Sequence, residues 1–118
     1  MEEPLKIFVS LPMAGRSDEE ILNTQYDIFH RWTAKYVNPK REVMLLDTIM
    51  QGEPKAGTKH GRLWYLGGSI RIMSNADVVI FARDWRDAEG CRIEHAICEL
   101  YKLNHAYDEL ENRDDIIE

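Results

Sequence analysis

The chain has 118 residues, 44% apolar and 31% charged, which fits one soluble globular domain and leaves no room for two. Its net charge is −6, from 15 basic and 21 acidic residues. That balance argues against a nucleic acid polymer as partner, because a phosphate backbone is held by an excess of Lys and Arg.

No stretch approaches the roughly 18 consecutive apolar residues of a membrane span, so no membrane partner is expected. The start, Met1-Glu2-Glu3-Pro4, is acidic, whereas a secretory signal needs a basic start and an apolar run. The two cysteines, Cys91 and Cys98, lie in one helical segment. At about 1.5 Å rise per residue their Cα atoms stand about 10 Å apart, too far for a disulfide. Free thiols and no leader predict a cytoplasmic protein.

Leu5-Lys6-Ile7-Phe8-Val9-Ser10 reads as a buried strand, followed by a loop with Pro12 and Gly15. Ser17 followed by Glu20 is a capping box. It starts a helix whose apolar stripe is Ile21, Tyr26, Ile28, Phe29 and Trp32, ending near Val37-Asn38-Pro39. Glu42-Val43-Met44-Leu45-Leu46 predicts a second strand. The segment 47–62 has no period and reads as a long functional loop. Its Lys55, Lys59, His60 and Arg62 suggest a basic lid over an anionic ligand, or a plain solvated loop. Residues 63–76 predict a helix weakened by Gly67-Gly68.

Asp77-Val78-Val79-Ile80-Phe81-Ala82 is the clearest strand, apolar without alternation and so covered on both faces. After the charged loop 83–89, residues 90–103 predict a helix with Ile93, Ile97, Leu100 and Tyr101 on its apolar side. The segment 105–118 is acidic, with one edge strand before a tail that frays from about 108. Strands alternating with helices predict an α/β fold, a three-layer sandwich on a small, mainly parallel sheet of four or five strands.

In such a sheet ligands bind where the strands end. The loop Ser10-Leu11-Pro12-Met13-Ala14-Gly15-Arg16 offers backbone N–H groups, a helix start and a cation to a phosphate or sugar; it also reads as an ordinary capped turn. The loop Arg83-Asp84-Trp85-Arg86-Asp87-Ala88-Glu89-Gly90 leads to Glu94 on the first turns of a helix. Gly90 would let backbone approach a ligand closely. A carboxylate at Glu94 can attack an anomeric carbon or hold ribose hydroxyls. The same residue can simply complement the helix dipole. Arg92 would meet a phosphate or an acidic neighbour.

His95 points about 100° away from Glu94 around the helix and is not its partner. His30, His60 and His105 show no ligand spacing, and HExxH, CxxC and EF-loop patterns are missing, so no metal is predicted.

Lys6-Ile7-Phe8-Val9-Ser10-Leu11-Pro12-Met13-Ala14-Gly15, then Ala76-Asp77-Val78-Val79-Ile80-Phe81, then Trp85 with Gly90-Cys91-Arg92-Ile93-Glu94-His95 come in an order that resembles the nucleoside 2-deoxyribosyltransferase-like superfamily, in particular a small bacterial and phage branch. The resemblance spans nearly all of 1–118 as a single domain. It implies a flavodoxin-like or Rossmann-like fold and cleavage or transfer of the N-glycosidic bond of a nucleoside or nucleotide, without a cofactor. It implies Glu94 as nucleophile, and the loop with Ser10, Pro12, Met13 and Gly15 as the sugar or 5′-phosphate cradle, next to which Arg16 is the candidate cation. It also implies a homodimer or higher homo-oligomer. Trp85 would stack on the base.

Two positions depart from the pattern. The superfamily's catalytic aspartate falls on Ser69, and a second polar position falls on Ala88. Asp84 or Asp87 is the candidate replacement acid. A non-catalytic nucleotide-binding or nucleotide-sensing module is the alternative.

Overall fold

The computed structural model describes residues 3–49 and 52–108. Four strands form one parallel sheet: β1 (Leu5–Ser10), β2 (Val43–Leu45), β3 (Val78–Phe81) and β4 (His105–Tyr107). Helices α1 (Asp18–Tyr36), α2 (Gly61–Met73) and α3 (Glu89–Tyr101) connect them in turn. The α/β class, the parallel sheet and the three-layer arrangement agree with the sequence expectation.

The spatial order is β2-β1-β3-β4. The chain moves one way from β1 to β2, then crosses back past β1 to β3. Right-handed crossovers therefore put α1 on one face and α2 and α3 on the other. The side-chain period of a strand then decides which residue meets which helix. Ile7 and Val9 of β1, with Ile80 of β3, pack on Ile21, Ile28 and Phe29 of α1. Phe8 and the β3 residues Val79 and Phe81 pack on the opposite face with Met73, Trp85, Cys91 and Cys98. The unbroken apolar run of β3 follows from having both faces covered.

The capping box forms as predicted. The Glu20 amide donates to Ser17 Oγ at 3.1 Å, and the Ser17 amide donates to Glu20 Oε1 at 2.8 Å. The α1 stripe differs in one place. Gln25 is buried, beside Thr48, while Tyr26 is 49% exposed.

The phase of α3 differs more. Ile93, Leu100 and Tyr101 point outward, the last two more than 70% exposed. The buried stripe is Cys91, Glu94 and Cys98, which follow helical spacing on the sheet-facing side. The large hydrophobes misled the expected phase because two small thiols and one acid carry the packed face.

α3 stops where Lys102 adopts a left-handed conformation, φ 57°, and the Leu103 amide donates to the Cys98 carbonyl at 2.9 Å. Glycine occupies such caps without a Cβ clash. Lys102→Gly should therefore raise stability by about 1 kcal/mol, read as a shift in urea midpoint with an unchanged slope.

No helix among the described residues is long and apolar enough to cross a membrane. The expected fraying of the tail falls on 109–118, outside the described residues.

Candidate functional site

The chain reverses its direction of travel between β1 and β3, so the carboxyl ends of these neighbouring strands form the switch-point crevice. Ser10 ends β1 and Phe81 ends β3, paired in register. Ser10 shares the strand face of Phe8, the face covered by α2 and α3. Its hydroxyl therefore points at α3, where it donates to Glu94 Oε1 at 2.7 Å. From α2, the Ser69 hydroxyl donates to Glu94 Oε2 at 2.6 Å. One strand and two helices thus converge on one carboxyl group, which is only 5% exposed.

Burial pushes the Glu94 carboxyl above its ordinary pKa, and the hydrogen bonds from Ser69 and Ser10 oppose that shift. A carboxylate in this setting is poorly solvated and held in orientation by two neutral donors. Cys91 lies one turn earlier on the same buried stripe. Burial drives its thiol up to about 11, with a lowering contribution from its bond to Ser10, further raising by Glu94 and Asp84, and lowering by Arg16. Glu94, Asp84 and Arg16 therefore all lie within electrostatic reach of the Cys91 sulfur.

Arg16 and Asp84 join the two loops above the strand ends, with Arg16 Nη2 donating to Asp84 Oδ2 at 3.0 Å. Arg16 follows a turn in which its amide donates to the Met13 carbonyl at 3.1 Å, and Gly15 takes φ 79°, a conformation that glycine adopts without strain. Pro12 and Met13 are half-buried beside it. A cleft of about 730 Å³ runs from Arg16 and Asp84 along α1 to Arg31 and Asp108. A second, of about 840 Å³, lies over residues 83–87 and Tyr107. Asp84 lines both. A third cleft, bounded by Trp32, Tyr36 and Glu42, sits by the amino ends of β1 and β2, away from this chemistry.

Several expected site residues are placed elsewhere. Trp85 is only 8% exposed, and its ring stacks on His95 at 4.1 Å with Arg86 over it at 4.8 Å. It is a core residue of a 3-10 turn (Trp85–Asp87), not an open platform for a base. Arg92 is exposed and donates to the Arg86 carbonyl at 2.7 Å, which ties it to that turn. Gly90 is helical, and a Cβ there would make ordinary contact with Leu66 of α2 at 3.8 Å. It faces a neighbouring helix. Asp87 is exposed on the second cleft and makes no hydrogen bond to Glu94. In the middle loop Lys55, Lys59 and His60 are exposed, and Arg62 is tied to Glu89 at the start of α3.

Two features escaped the sequence reading. Arg31 of α1 grips Asp108 after β4 through both carboxylate oxygens, at 3.0 and 2.9 Å. The pairing spans 77 positions, and nothing local signals it. His95, Glu99 and His105 also come together, their ligating atoms within 4.8 Å of one another. Here a signal existed, since His95 and Glu99 are one helical turn apart.

Compared with family models, with curated proteins and with solved structures, the chain matches none of them.

Proposed function

We propose that the protein cleaves or transfers the N-glycosidic bond of a nucleoside or nucleotide through Glu94. The observation that carries this reading is the bridge Ser10–Glu94–Ser69 at the switch point, with both carboxylate oxygens fixed by hydroxyls at 2.7 and 2.6 Å. A carboxylate so oriented would serve as the nucleophile towards C1′ of a sugar laid over the end of β1. Attack would form an ester between Glu94 and C1′ as the bond to the base breaks, and water or a second base would then displace Glu94. The resemblance to nucleoside 2-deoxyribosyltransferase-like proteins supports this use of the residue, and Ser69 stands at the sequence position where that resemblance has an aspartate.

The test is incubation with a panel of nucleosides and their 5′-monophosphates, with chromatography for free base. Base release that disappears in Glu94→Ala is the expected result. No release above that control from any substrate would refute the reading.

One observation favours a second reading, a nucleotide-binding module without turnover. No second acid is hydrogen-bonded to Glu94 among the described residues, and Asp84 is committed to Arg16. General acid help is typically worth about 10²–10⁴-fold. Calorimetric titration separates the two, because a pure binder keeps its nucleotide affinity in Glu94→Gln and releases no base in either form. The homo-oligomer implied by the resemblance belongs to the same proposal, and light scattering in solution decides it.

A further inference from the structure

On α3, His95 and Glu99 are four residues apart and so share a face, about 100° round the helix from the stripe that carries Glu94. The left-handed cap at Lys102 turns the chain back, and β4 begins with His105. The turn delivers a second imidazole to the first. His95 Nδ1 lies 3.9 Å from Glu99 Oε1, and one ligating atom from each of the three residues falls within a 4.8 Å group.

The second nitrogen of each ring has an oxygen partner. His105 Nδ1 is 2.9 Å from the Leu103 carbonyl, which can only accept, so Nδ1 carries the proton and a neutral ring has its lone pair on Nε2. His95 Nε2 is 2.6 Å from the Tyr107 hydroxyl, and with Nε2–H donating there the lone pair sits on Nδ1, facing Glu99. Imidazoles that ligate metals are oriented in this way by an outer oxygen. Packing holds the rings as well. His95 stacks on Trp85 at 4.1 Å, and His105 meets Phe81 edge-on at 6.0 Å. Glu99, with 63% of its side chain exposed, has the freedom to close on an ion.

We propose that His95, Glu99 and His105 form a divalent transition-metal site of the zinc type, which ties the end of α3 to the edge strand β4. Two imidazoles and a carboxylate suit Zn²⁺ and Co²⁺, with bonds of about 2.0–2.2 Å and a fourth position left to water. In tetrahedral geometry such bonds bring the ligand atoms to about 3.4 Å apart, so no pair in the group has to close by more than about 1.4 Å. Cys91 and Cys98 do not compete for the ion, because both thiols are buried on the sheet-facing side of α3. The site is independent of Glu94 and of any reaction there.

The test uses the full, untagged chain, stripped with a chelator and titrated with ZnCl₂ by calorimetry and with Co²⁺ by visible absorption. One equivalent should bind with a Kd below about 10 µM, weakened at least about tenfold in Glu99→Gln and in His105→Gln. Zn²⁺ should raise the melting temperature of the parent chain more than that of either variant at the same Zn²⁺ concentration. Circular dichroism checks that each variant is folded, and Glu99→Gln, at an exposed position, decides the matter alone if His105→Gln is not. A Kd weaker than about 100 µM, or binding that Glu99→Gln leaves unchanged, would overturn the proposal.

Discussion

Glu94→Gln is expected to reduce base release by about 10³-fold or more and, at neutral pH, to make the protein more stable. The two effects have one origin. The Glu94 carboxylate stands where water barely reaches it, and among the described residues its hydrogen-bond donors are the Ser10 and Ser69 hydroxyls. Glutamine has nearly the same shape and keeps one acceptor oxygen. Its amide N–H can donate to a serine oxygen once that hydroxyl rotates. Removing an incompletely compensated buried charge is worth on the order of 1–3 kcal/mol.

The sign of the pH dependence follows from the raised pKa. At low pH the native state keeps a proton on Glu94 after the unfolded chain has begun to lose its own, so the native state binds more protons. The contribution of Glu94 is therefore fully present below the ordinary carboxylate range and is lost as pH rises through the native value. The glutamine variant has no such loss. Urea unfolding of both proteins between about pH 4 and 8 should show the stability difference widening in favour of the variant as pH increases. A constant difference, or one that shrinks, would mean that Glu94 is better solvated than its 5% exposure indicates.

Phe81→Ala should destabilise the fold by about 3–5 kcal/mol. Phe81 is fully buried at the end of β3, and four rings surround it: His95 at 4.9 Å, Trp85 at 5.5 Å, and His105 and Tyr107 at 6.0 Å. It joins the sheet core to the 3-10 turn, to α3 and to the edge strand. Alanine would leave a cavity between elements that cannot all move inward together. Since domains are stable by only about 5–15 kcal/mol in total, this is a large fraction. Denaturant unfolding measures it, and a loss below about 1 kcal/mol would show that the aromatic cluster repacks around the gap. Phe81→Leu, which keeps much of the volume, should cost less.

The contrast between Glu94 and Trp85 shows which parts of the site were legible. Both belong to one loop-helix segment, and both were expected at the ligand. Glu94 was singled out by its place on the first turns of the helix that follows β3, while its burial in the sheet-facing stripe came only with the true phase of α3. Trp85 follows the strand by a few residues, and its direction depends on a 3-10 turn that the sequence does not announce. The turn folds the indole down onto His95. Arg92 and Gly90 were displaced for a related reason, since helical phase sends one to the turn and the other to α2. Ser69 is the opposite case. It drew attention only because an acid was missing there, yet the fold puts its hydroxyl on Glu94.

What the sequence determined by itself is what depends on neighbours along the chain. The Ser17–Glu20 capping box, the parity that sends Ser10 to the opposite strand face from Val9, the doubly covered run of β3 and the alternation of strands with helices all follow from residues a few positions apart. Tertiary structure decided what depends on distant segments meeting. It set the true phase of α3, the closure of Ser10, Ser69 and Glu94 across three elements, the Arg31–Asp108 grip and the gathering of His95, Glu99 and His105. These contacts are imposed by the crossover geometry of a parallel sheet, which brings together residues separated by up to 84 positions and leaves no local pattern in the chain.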